Sequence, residues 1–145
     1  IMNVMTEQIF TEDEMHYSAP DKIGNEVEVA IYARSASVDK RKIENQISDC
    51  KDFIKSIGGD PEKAVIYADN GYAGSDDDRP AYRKLFMDAE EGKFQILVIH
   101  DFPRLKRGTA KCIKVLDSLS EKHIETYISS FGIPAKELYS FPLAA

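Results

Sequence analysis

The sequence predicts an α/β fold: a doubly wound, mostly parallel sheet of four to five strands with helices on both faces, in a single domain. Two observations predict it. Short runs rich in β-branched residues alternate with longer runs whose apolar residues recur every three or four positions. One short run, FQILVIH at 94–100, is apolar on both faces, as a strand covered by helices on each side must be. Right-handed crossovers then join the strands in parallel.

Four strands are expected: VEVAIYA (27–33), AVIYA (64–68), FQILVIH (94–100) and IETYISS (124–130). Three helices separate them. In the first, Ile43, Ile47, Cys50, Ile54 and Ile57 form an apolar stripe, and Gly58-Gly59 provides the stop. The second opens at Arg79-Pro80 with Asp78 as the expected N-cap; Leu85, Phe86 and Ala89 make its apolar face, and Gly92 ends it. The third starts near Thr109, with Cys112, Ile113, Leu116 and Leu119 on one side. Residues 1–26 are acidic and lack periodicity, so a flexible extension is expected there, and 134–145 reads as a tail.

Composition excludes several classes. No stretch approaches the roughly 20 apolar residues of a membrane helix, and the first residues lack the basic-then-apolar plan of a signal peptide, so a cytoplasmic protein with no membrane partner is expected. Cys50 and Cys112 are the only cysteines and form no C-x-x-C pair, which argues against a disulfide framework or a zinc site. His16, His100 and His123 are too scattered to suggest a shared metal. The acidic run DNGYAGSDDD does not follow the spacing of a calcium loop. With a formal charge of -6, any contact with nucleic acid must come from a local basic cluster.

In doubly wound sheets ligands bind at the carboxyl ends of the strands, which directs attention to the loops at 34–42, 69–79 and 101–109. Arg34, Arg79, Arg104 and Arg107 all fall there. Arginine forks match phosphate oxygens in a bidentate way, and four of them on one rim need an anion between them. Ser35 and Ser37 bring hydroxyls to the same rim, the kind of nucleophile that nearby arginines assist by stabilising developing negative charge. The same residues also suit plainer roles: arginines near strand ends are commonly solvated, and serines after strands commonly form turns.

Read in order, IYAR (31–34), IENQI (43–47), YADNGYAGSDDDRPAYRKLF (67–86), EGKFQILVIHDFPRLKR (91–107) and IETYISSFGI (124–133) resemble the catalytic domain of the serine recombinases, the resolvase and invertase family. The resemblance runs from Val27 to Ile133 and implies a resolvase-like catalytic domain over 27–133. It implies that Arg34 and Arg79 contact a scissile DNA phosphate, that Gln46 helps to order the site, that Asp69 is the loop aspartate after the second strand, and that Arg104 and Arg107 complete the clamp. It further implies DNA recombination through a 5′-phosphoserine intermediate, by a dimer or tetramer acting on the recombination sites of a mobile element, with no metal or small-molecule cofactor.

Three positions depart from the family pattern. Ala36 stands where the attacking serine belongs, and Ser37 is the favoured substitute over Ser35 because it lies beyond the strand, where the loop can bend. Pro103 replaces a polar residue, and Lys106 occupies a position that is commonly glycine. Three readings stay open: an active recombinase domain, an inactive relative that pairs with an active one or assembles on DNA, and an α/β module binding a small phosphate ligand. The last lacks a glycine-rich phosphate loop after the first strand.

Overall fold

Every residue of the first strand is buried, so the sheet is organised around it. In the computed structural model, which describes residues 26–74, 78–101 and 109–134, the elements follow in order: β1 (Val29–Ser35), α1 (Lys40–Ser56), a 3-10 turn (Pro61–Lys63), β2 (Val65–Asn70), α2 (Pro80–Glu90), β3 (Ile96–Ile99), α3 (Thr109–Glu121), β4 (Glu125–Ile128) and β5 (Ile133–Pro134). The expected N-terminal extension, save its last residue, lies outside the described residues. So do the tail from 135 onward and Pro103, Arg104, Lys106 and Arg107.

The strands lie in the order β2-β1-β3-β4-β5. Pairing is parallel from β2 across to β4, and only the two-residue β5 runs antiparallel. The doubly wound, mostly parallel sheet is therefore present. Period-two alternation sorts its side chains into two cores. Ala30, Tyr32, Leu97, Ile99 and Ile128 face α2 and α3, packing with Leu85, Ala89 and Leu119. Val29, Ile31, Val98 and Tyr127 face α1, packing with Cys50, Phe53 and Ile54. Each such aliphatic side chain contributes about 1.5–3 kcal/mol when fully buried. Among the described residues, no helix is long and apolar enough to cross a membrane.

The helix ends follow the sequence closely in α1. Asp39 caps it by accepting from the Lys42 amide at 3.1 Å. Gly58, at φ +90°, closes it as its amide bonds to the Lys55 carbonyl and that of Gly59 to Ile54. At α2 the expectation fails. Asp78 is exposed and pairs with Arg83 at 3.2 Å, and Arg79 occupies the N-cap without a side-chain cap bond. The capping group is Asp69, from the end of β2, which accepts from the amides of Ala81 and Tyr82, both at 2.9 Å. Pro80 has no amide hydrogen, so these are the first two donors of the helix that need a partner.

Strand limits also shift. β1 starts two residues later than expected and extends to Ser35, because Arg34 and Ser35 still pair with Asp69 and Asn70 of β2. β3 and β4 are shorter than the apolar runs that contain them. Phe94 is buried just ahead of β3, and the amides of Ser129 and Ser130 bond back to Ile99 and His100 from a turn.

Candidate active site

Chain order reverses between β1 and β3, so the loops leaving them diverge to opposite faces and open a site at their carboxyl ends. β3 pairs with β1 only as far as Tyr32. Beyond it Gln46, from α1, replaces the missing strand: the Arg34 amide donates to Gln46 Oε1 at 3.1 Å and Gln46 Nε2 donates to the Arg34 carbonyl at 2.8 Å. Both residues are buried. The Arg34 guanidinium donates through Nη1 to the Tyr72 carbonyl at 2.8 Å, so its direction is set by the loop after β2.

The chain then turns outward. Ser35 is buried, and its hydroxyl donates to the Ser37 carbonyl at 2.6 Å, closing a short turn. Ala36, Ser37 and Val38 are exposed. The position of the expected nucleophile therefore carries a solvent-facing methyl group, flanked by one inward-turned serine and one exposed serine.

Beneath this loop lies a buried polar chain. The Tyr32 hydroxyl donates to Asp69 Oδ2 at 2.7 Å and accepts from Arg79 Nη1 at 2.9 Å. Burial, and next the hydrogen bond to Asp69, push the Tyr32 phenol far above its usual range, so it remains a neutral donor. Arg79 is 0% exposed, and its guanidinium lies 3.8 Å from the centre of the Tyr82 ring. A desolvated stack of this kind contributes about 2 kcal/mol. The Tyr32 hydroxyl links Arg79 to the Asp69 carboxylate, which is itself held by the first amides of α2. The sequence reading puts Arg79 on an open rim, whereas the fold seats it below the surface, where it supports the ends of β1 and β2.

Of the expected site residues, Arg34 and Asp69 thus lie at the carboxyl ends of β1 and β2, Gln46 reaches Arg34 from α1, Arg79 sits at the start of α2, and Ser37 is on the loop above. Arg104 and Arg107 lie outside the described residues. The sequence reading missed the functional tie made by Tyr32, although a tyrosine inside an aliphatic strand signals a hydroxyl in need of a partner. It also missed Tyr82, three residues beyond Arg79 on the same helix. His100 turns toward Asp49 of α1, with Nδ1 3.5 Å from Oδ2. Among the described residues, no group of three or more His, Cys, Asp or Glu side chains could hold a metal ion. Burial pushes the Cys50 thiol up to about 12, which leaves it protonated and unreactive.

Comparison with known proteins agrees with this architecture. Residues 29–137 match the family described as Resolvase, N terminal domain. A candidate DNA recombinase of Bacillus subtilis (strain 168) is 30% identical over 100 residues, covering 66% of this chain. The match spans 19% of that relative's length. The N-terminal catalytic domain of TP901-1 integrase superposes with a TM-score of 0.68 at 22% identity, covering 77% of this chain and 88% of that one. A resolvase family site-specific recombinase from Streptococcus pneumoniae gives 0.65 at 20% identity and 77% coverage of both chains. The C-terminal catalytic domain of ISC1926 TnpA, an IS607-like serine recombinase, gives 0.63 at 24% identity, covering 70% and 69%. With a family match over residues 29–137, most of its length, the chain belongs to the serine recombinases of the resolvase and invertase family, and carries their N-terminal domain.

Proposed function

We propose that this domain is the catalytic domain of a site-specific DNA recombinase, binding a scissile phosphodiester above the carboxyl ends of β1 and β2 and working as a dimer or tetramer. The observation that carries the reading is the treatment of Arg34. Gln46 fixes its backbone, the Tyr72 carbonyl directs its guanidinium, and an exposed loop follows at once. A cation held this firmly beside a loop suited to an attacking hydroxyl is preorganised to stabilise a phosphorane. Arg104 and Arg107 belong to the same clamp in this reading. Arg79 serves it from below through Tyr32 and Asp69.

In the reaction a serine oxygen bonds to phosphorus, the bond from phosphorus to the 3′ oxygen breaks, and the serine proton ends on the released 3′-hydroxyl. Resealing runs the same step backwards on an exchanged end. Ser35 is a poor source of that oxygen because its hydroxyl is committed to the Ser37 carbonyl and is buried. Ser37 is exposed and is the attacking group we assign in the unmodified chain.

The exposed Ala36 favours a second reading, in which the chain assembles with an active relative and does not cut. One experiment separates the two. The full-length protein, its Ser37→Ala variant and its Ala36→Ser variant are incubated with supercoiled DNA bearing the sequence that flanks its coding region. Covalent adducts are then counted by denaturing electrophoresis after nuclease trimming. An adduct from the unmodified protein that disappears in Ser37→Ala supports Ser37 as nucleophile, and an adduct from Ala36→Ser alone supports the non-cutting reading. No adduct from any of the three counts against a recombinase site.

A further inference from the structure

The loop that bears positions 36 and 37 is bracketed by the end of β2 and the segment that follows it. The Ser35 carbonyl accepts from the amides of Gly71 and Tyr72, at 2.7 and 3.0 Å. The Tyr72 carbonyl accepts from Arg34. At the far end of the loop, Asn70 Oδ1 accepts from the Asp39 amide at 2.7 Å. Asp39 is the N-cap of α1, so this bond ties the start of that helix to the end of β2. Gly71 adopts φ +93°, and a β-carbon there would stand 2.9 Å from Val38 Cγ2. Of these contacts, only the one from Asn70 is made by a side chain of the bracketing segment, and Asn70 is exposed, outside both apolar cores.

We infer that Asn70 is a positioning residue: by holding the Asp39 amide it fixes the path of residues 36–38 and so the place from which an attacking oxygen reaches the phosphate. The inference rests on the recombinase reading for its consequence and on the loop geometry for its substance. The bond needs only an acceptor oxygen at this position, which an aspartate carboxylate also supplies, so aspartate should serve in its place, whereas alanine leaves the Asp39 amide to water. Displacements of about an ångström in an attacking group can cost up to about a hundredfold in rate, and a partly released loop should cost about tenfold.

The test has two arms. In the unmodified chain, Asn70→Ala should accelerate hydrogen exchange at the Asp39 amide by about tenfold, with Asn70→Asp restoring slow exchange. In the Ala36→Ser background, Asn70→Ala should slow single-turnover adduct formation by about tenfold at saturating protein, leave the DNA concentration dependence unchanged, and be rescued by Asn70→Asp. Unchanged exchange at Asp39 overturns the inference whatever the activity. A normal adduct rate in Asn70→Ala, or a failed rescue by aspartate, overturns the positioning role. Absence of any adduct from Ala36→Ser alone strikes the recombinase reading, while the exchange arm still decides the role of Asn70.

Discussion

Replacing Tyr32 with phenylalanine removes one oxygen and nothing else from the centre of the buried polar chain. That oxygen donates to Asp69 and accepts from Arg79, so two charge-assisted bonds disappear together. Asp69 keeps its two helix amides, so the carboxylate is not orphaned. The Arg79 guanidinium loses one bond in a site with no access to solvent. Hydrogen bonds to charged groups contribute about 1.5–3 kcal/mol net, and the retained amide bonds limit the loss, so Tyr32→Phe should destabilise by about 2–3 kcal/mol. For a domain of this size that lowers the melting temperature by roughly 10 °C. Urea titration followed by far-UV circular dichroism checks it, with an unchanged m-value showing that only the folded state is affected. Asp69→Asn should cost more, about 3–5 kcal/mol, because it weakens the acceptor shared by the Tyr32 hydroxyl and the Ala81 and Tyr82 amides and turns a donor toward a helix amide. A loss below about 0.5 kcal/mol in Tyr32→Phe, or a milder effect in Asp69→Asn, would refute the view that this chain holds the strand ends together.

Three further outcomes follow from local geometry. His123 sits at φ +63° where α3 ends, with the amides of His123 and Ile124 bonding to the Ser120 and Leu119 carbonyls, so His123→Gly should stabilise by about 0.5–1 kcal/mol in thermal melts. Gly71→Ala should destabilise by about 1–2 kcal/mol because of its φ of +93°. Since Val38 is 82% exposed and free to shift, removing its methyl groups in a Val38→Ala double variant should recover little of that loss. The Asp88 carboxyl is held below its ordinary range, first by the Tyr67 hydroxyl at 2.6 Å and then by Lys84. A depressed folded value adds stability above the ordinary value of 3.8 that is lost as pH falls through the folded value. Asp88→Asn should therefore flatten the acid limb of the stability profile below about pH 4 and leave its slope near neutrality unchanged.

Periodicity made much of this fold legible. In the α1 stripe Ile43, Cys50, Ile54 and Ile57 end buried and Ile47 half-buried, and the doubly apolar run around β3 is buried from Ile96 to Ile99. The cap of α2 was not legible, because Asp78 has the right type and place in sequence while Asp69 is brought there only by the sheet. The same holds for Gln46. Its spacing says helix, but its task, pairing with the Arg34 backbone, exists only because β3 stops short of Arg34. The depth of Arg79 is likewise a tertiary fact: an arginine at a helix start reads as exposed until Tyr32 and Tyr82 are seen to enclose it. Ala36 is the converse case, since its departure from the serine pattern is plain from the letters and the fold adds that its methyl group faces solvent.

Asp69 closes the segment between β2 and α2 like a buckle, ending one element and starting the next with a single side chain. The residues that intervene are thus anchored at both ends independently of how many there are. Lengthening a closed loop is inexpensive, about 0.6 kcal/mol for each doubling. Changes in the length of this connection should therefore leave the strand ends, held by Asp69, undisturbed.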